Sequence, residues 1–160
     1  MDREKIKSTL FVGVLGLLLG IIAKFADGTI LGVIGTQLGF WVFISTLIIT
    51  KSRTSVSAAF HTIVFFMSML ISYYIYSMIL FGFFPRYYFF IWMGAAFISP
   101  IWGWIVWYSR RGGCLGAVCA FLPISLLIME GYSIYYTFSI ASGFSIFAAI
   151  MLFILVSQRN

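Results

Sequence analysis

Side chains able to carry chemistry are scarce in this chain. His61 is the only histidine in 160 residues, and only four acidic residues accompany it. Asp2 and Glu4 lie in the amino tail, leaving Asp27 and Glu130. A Ser–His–Asp relay needs its members within hydrogen-bond reach of one another. His61 falls near the start of one apolar segment, while Asp27 and Glu130 fall at the opposite ends of others. A 20-residue helix is about 30 Å long, so these groups cannot meet. Asp27 has no second aspartate within an apolar segment, which removes a paired-aspartate protease. The metalloprotease motif H-E-x-x-H, the nucleophile elbow G-x-S-x-G, the phosphate loop and the dinucleotide fingerprint are all missing. Cys114 and Cys119, five apart, match no metal or redox spacing. They read as small apolar helix residues, and His61 reads as a hydrated residue at a helix end. The sequence therefore predicts no catalytic centre, no metal site and no cofactor: the chain is not expected to be an enzyme.

Binding is the chemistry that remains. Apart from the amino tail, the carboxyl tail and two basic turns, the charged residues are Lys24, Asp27, Arg86 and Glu130, two of each sign. Lys24 and Asp27, three apart, share a helix face. Eight of the nine tyrosines fall on the same side as these charges: Tyr73, Tyr74, Tyr76, Tyr87, Tyr88, Tyr132, Tyr135 and Tyr136. Trp92 joins them, whereas Trp102, Trp104 and Trp107 gather near Arg110 and Arg111. Interfacial aromatic belts account for part of this pattern but not for its one-sidedness. The expected solute site is a pocket with Lys24, Asp27, Arg86 and Glu130 as charge partners and Tyr73, Tyr74, Trp92 and Tyr132 as walls.

The elements that would position these residues follow from composition. The chain is 62% hydrophobic, 20% aromatic and only 9% charged, against about a quarter charged in a soluble domain. A globule of this size cannot hide so many large apolar side chains from water. A soluble enzyme, a disulfide scaffold, a nucleic-acid-binding domain and a disordered tail are all excluded. A bilayer core requires roughly 20 apolar residues per helix. Six such segments are present, at residues 9–25, 29–50, 56–82, 87–108, 113–131 and 135–157. The first lacks a small-x-small cleavage site and reads as a retained helix rather than a signal peptide. The separators are too short for another domain. The expected fold is all-α: one polytopic integral membrane domain over residues 1–160, six transmembrane helices in one compact bundle.

Basic residues set the orientation. Arg3, Lys5, Lys7, Lys51, Arg53, Arg110, Arg111 and Arg159 fall on one side of a six-helix path, with only Lys24 and Arg86 on the other. The positive-inside bias then places both termini in the cytoplasm, in the plasma membrane of a prokaryote. The net charge of +6 is explained by this topology, with no nucleic-acid partner implied.

Lipid tails are as apolar as leucine, so helices associate through close packing at small residues. Gly13, Gly16 and Gly20 recur along the first segment, and Gly28, Gly32, Gly35 and Gly39 along the second. Intervals of three and four put each set on one face, and the two faces are expected to meet. Pro100 and Pro123 interrupt two apolar segments, with Ser99 and Ser125 placed to meet the freed backbone groups. Gln37, inside the second segment, is expected to bond a neighbouring helix.

The whole chain resembles an uncharacterised family of small six-helix membrane proteins from bacteria and archaea. The residues carrying this are Gly20-Ile21-Ile22-Ala23-Lys24-Phe25-Ala26-Asp27, Tyr73-Tyr74 and Ser99-Pro100. More loosely, the layout is similar to the membrane-embedded substrate-binding subunits of energy-coupling-factor vitamin transporters. That resemblance implies a solute bound near the outer face and docking on an energising module. Its usual Ala-x-x-x-Ala motif is replaced here by Gly16-x-x-x-Gly20. The expectation is a transport-related subunit that binds a small solute near the extracellular face. The alternative is a non-catalytic accessory, immunity or assembly factor that meets a membrane-protein partner, or a second copy of itself, through the glycine faces.

Overall fold

The computed structural model describes residues 3–29, 32, 35, 37–111, 113–133 and 146–152, and of residues 130–133 the backbone only. It is all-α. Helix α1 runs Arg3–Phe25, α2 Leu38–Lys51, α3 Ser55–Phe81, α4 Arg86–Trp107 and α5 Cys114–Ser133. A 3-10 turn, Tyr108–Arg110, follows α4, and residues 146–152 form a further helical stretch, α6. Among the described residues, three segments are long and apolar enough to cross a membrane: Arg3–Phe25, Ser55–Phe81 and Arg86–Arg110, with mean hydropathies of 2.2, 1.9 and 1.7. At 1.5 Å per residue the 14 residues of α2 span only about 21 Å, short of a hydrocarbon core.

Helix ends follow local chemistry. The Thr54 side chain caps α3 by accepting from the Ser57 amide, and Gly82 closes that helix in the left-handed region at φ 70°. Pro85 then precedes α4, where a missing N–H costs nothing. Three expected boundaries shift. α1 starts at Arg3 rather than residue 9, because a helical ladder continues through charged residues beyond the apolar run. α5 continues to Ser133, through the separator expected at residues 131–133. The second segment is not continuous from residue 29: Gln37 has extended backbone and stands before α2 rather than inside it.

On α1, residue size is distributed inversely to that of a helix in a water-soluble protein. On α1 the buried residues are Val12, Gly16, Gly20 and Ala23, while Leu10, Phe11, Val14, Leu18 and Ile22 face outward. Small residues inside and large apolar ones outside is the pattern of helices packed in lipid.

The glycine face of α1 packs against α3. A Cβ at Gly16 would stand 2.6 Å from the Phe65 carbonyl oxygen and collide with the Ser68 hydroxyl. One at Gly20 would collide with Ser72 and the Met69 carbonyl. This corrects the expected pairing of the first two glycine faces: the second meets α1 only near its end, where a Cβ at Gly35 would touch Ala23 and one at Gly32 the Ala26 backbone. The physical reason is the break before α2, which stops residues 29–50 from lying alongside α1 as one rod. Gly39 is buried, and Gly28 sits in the turn after α1 with φ 83°. A Cβ at Gly13 would make ordinary contact with Val64 at 3.5 Å.

One core joins α1, α2, α3 and α4 through Val12, Trp41, Phe65, Met69, Tyr74 and Ala96. A second joins Val42, Leu127, Ala148, Ala149 and Leu152 of α2, α5 and α6.

Candidate solute site

Three helices present stripes with the i, i+3, i+4, i+7 spacing of a single helix face. They are Leu38, Trp41, Val42 and Ser45 on α2; Phe66, Met69, Leu70 and Tyr73 on α3; and Ala95, Ile98, Ser99 and Trp102 on α4. With Gly35, Trp92, Ala96 and Leu126 they line a cavity of about 460 Å³. That volume lies within the roughly 300–1,000 Å³ of small-molecule sites.

The described lining is rich in aromatic rings and holds no charged side chain. Trp41 donates its indole N–H to the Gly35 carbonyl at 2.9 Å. Ser45 donates to the Val42 carbonyl at 3.0 Å and Ser99 to the Ala96 carbonyl at 2.7 Å. The second bond has a specific cause. Pro100 lacks the N–H that would serve the Ala96 carbonyl, and Ser99 supplies a hydroxyl instead. Ser125 does not repeat this for Pro123, whose freed carbonyl would be that of Cys119; it donates to Leu122 at 2.9 Å. Trp102 is different: its buried Nε1 has no hydrogen-bond partner among the described residues. A buried donor without an acceptor is costly unless something else accepts from it.

Of the residues expected at a solute site, Tyr73 and Trp92 line this cavity. Lys24 and Asp27 do not; they pair with each other at 2.7 Å at the end of α1. The Lys24 ammonium also lies 5.3 Å from the Tyr73 ring centre and 4.8 Å from that of Phe81. It thus ties the charged pair to the edge of the cavity through a shared ring. Tyr74 turns to a neighbouring aromatic cluster, edge-on to Phe84 and Phe89 at 5.6 and 5.0 Å. Arg86 is exposed at the start of α4. The side chains of Glu130 and Tyr132 lie outside the described residues.

Sequence reasoning missed Trp41, Ser45, Ser99 and Trp102 as lining residues. Their signal was present: Trp92, Ala95, Ser99 and Trp102 follow one another at three- and four-residue steps. It was masked by the search for charge, which led to the helix ends.

A second polar node sits at the opposite end of the helices. His61 is buried rather than hydrated, contrary to the expectation from sequence. Its Nδ1 lies 3.0 Å from the Ser52 hydroxyl and its Nε2 3.4 Å from that of Ser8. Ser52 already donates to the Ile48 carbonyl at 3.1 Å. Nδ1 must therefore donate to Ser52, leaving Nε2 to accept from Ser8, an arrangement that neutral imidazole satisfies. The Ser52 carbonyl accepts from Trp107 Nε1 at 3.1 Å and from Arg110 at 2.5 Å. The node thus joins the start of α1, the α2–α3 turn and the end of α4.

No curated protein matches the chain, and no solved structure matches it either, so the looser resemblance to energy-coupling-factor subunits gains no support. A family model described as "Family of unknown function (DUF6518)" matches residues 2–159. The match covers nearly the entire chain, and the protein belongs to that family.

Proposed function

We propose that the protein is a transport-related membrane subunit that binds a small solute in the cavity between α2, α3 and α4. The observation that carries this is the cavity itself: about 460 Å³, in the range of small-molecule sites, and walled by the rings of Trp41, Phe66, Tyr73, Trp92 and Trp102. Under this reading the site lies deeper than the charged residues at the helix ends, and Tyr73 and Trp92 contribute to it.

The proposal includes six membrane crossings with both termini in the cytoplasm of a prokaryote. Three observations support one basic, inward end. Ser8 follows Arg3, Lys5 and Lys7; Ser52 lies between Lys51 and Arg53; Arg110 precedes Arg111. Hydrogen bonds around His61 and Ser52 gather all three at one end of the helices, as the positive-inside bias requires. The alternative, docking of a partner through glycine faces, is less well supported, because Gly16 and Gly20 are already filled by α3.

The test is thermal unfolding of the protein in lipid nanodiscs, followed by tryptophan fluorescence. The panel runs from vitamins and polar metabolites to uncharged apolar carbonyl compounds. A ligand at 100 times its Kd stabilises by about 2.7 kcal/mol. At least one compound is expected to raise the midpoint, and to do so less in Trp102→Phe. No shift with any compound would overturn the proposal.

A further inference from the structure

We infer that the basic end of the molecule, where the turns after α2 and α4 meet, binds the phosphate of an anionic phospholipid headgroup through Lys51, Arg53, Arg110 and Arg111. The inference goes beyond solute binding: it involves neither the cavity nor its lining, and rests only on the chain's lying in a bilayer. Three observations lead to it.

First, the fold brings these cations together. Arg110 donates to the Ser52 carbonyl across 58 positions of sequence, and Ser52 stands between Lys51 and Arg53. Arg111 follows directly. Two turns that each carry a pair of basic residues are thus joined at one carbonyl. Like charges gathered in this way repel one another unless an anion stands among them. Second, the described part of the chain supplies no such anion. Among the described residues none of the four forms a salt bridge; the pair Lys24–Asp27 lies at the other end of the helices. Asp2 and Glu4 are outnumbered in their own tail by Arg3, Lys5 and Lys7. All four cationic residues are exposed and open to a ligand. Third, the depth is that of headgroups. Arg110 ends one candidate span, Arg86–Arg110, and Arg53 stands two residues before another, Ser55–Phe81. The Arg110 guanidinium lies over the Trp107 ring at 5.8 Å, and that of Arg111 over the Tyr108 ring at 4.8 Å. Tryptophan and tyrosine rings settle at the boundary between acyl chains and headgroups. The rings hold both guanidiniums at that level, and a guanidinium pairs with phosphate oxygens through two parallel N–H donors. Basic clusters of this size at the end of a span attract anionic lipid.

Native mass spectrometry of the full chain tests this. The detergent-solubilised protein is offered equal amounts of phosphatidylglycerol and phosphatidylcholine with the same acyl chains. Preferential retention of phosphatidylglycerol is expected. Each basic residue near a membrane surface is worth about a fivefold change in affinity, so Arg53→Gln and Arg111→Gln should each lower the preference by about that factor. Arg86→Gln removes an exposed cation at the opposite end of α4 and should leave it unchanged. A large excess of inorganic phosphate separates a lipid site from a site for the soluble anion: the lipid should stay bound. Equal retention of the two lipids by the unaltered protein overturns the inference, whatever the variants do. An equal loss of preference in Arg86→Gln and Arg53→Gln also overturns it, because general surface charge would then suffice. Displacement of the lipid by inorganic phosphate overturns it as well. No solute enters these measurements, so failure here leaves the cavity proposal standing, and an empty solute screen leaves this inference standing.

Discussion

Ser99 and Ser125 are each two residues or fewer from a proline within a helix, yet they do different work. Ser99 is buried and its hydroxyl serves the Ala96 carbonyl that Pro100 leaves open. Ser125 serves Leu122, a carbonyl that its own helix already engages. Ser99→Ala should therefore leave a buried acceptor unmatched and lower stability by about 1–3 kcal/mol. Ser125→Ala should change it by less than about 0.5 kcal/mol. Thermal midpoints of the two variants in the same detergent give the comparison. Equal effects would show that the proline-freed carbonyl is met in another way. His61 makes a related point about legibility. A single histidine beside polar residues reads as solvated, and nothing in its own segment reveals that Ser8, 53 positions earlier, approaches it. Burial of that kind arises from helix pairing, which local spacing does not encode.

At the scale of the elements, the α1–α3 contact is set by side-chain absence. Gly16→Leu and Gly20→Leu should each separate the two helices, because the obstacles include the Phe65 and Met69 backbone carbonyls, which cannot swing aside. A loss of about 1–3 kcal/mol per substitution is expected from overpacking. Gly94→Ala is the control: a Cβ there meets nothing within 4 Å, and replacing a helical glycine should stabilise by up to about 1 kcal/mol. Denaturant titration in mixed micelles reads all three. Destabilisation by Gly94→Ala equal to that of Gly16→Leu would refute the packing account. The existence and approximate limits of α1, α3, α4 and α5 were legible from apolar run length alone. The partner of the glycine face was not, because any small-residue stripe fits any other. Nor was the late start of α2, since only Thr36 and Gln37 separate the apolar residues before Leu38 from those after it. The cavity was half legible: its aromatic character could be read, but its depth was misplaced by attention to charge.

For the whole molecule, sidedness is the property most open to direct measurement. Single cysteines are introduced at Arg53 and Asp27, both exposed, into a background lacking Cys114 and Cys119. An impermeant maleimide applied to intact spheroplasts should label the cysteine at position 27 and spare the one at 53 until the cells are opened. The reverse pattern would invert the proposed orientation. The outward placement of leucine and phenylalanine on α1, with glycine and alanine within, also bears on thermodynamics. When such helices part inside a bilayer, the surfaces uncovered meet hydrocarbon and not water. The heat-capacity increment that curves the stability of soluble domains comes from hydrating apolar surface, so it should be nearly absent here. Cooling would then leave the assembly intact, and its free energy of association would change almost linearly with temperature.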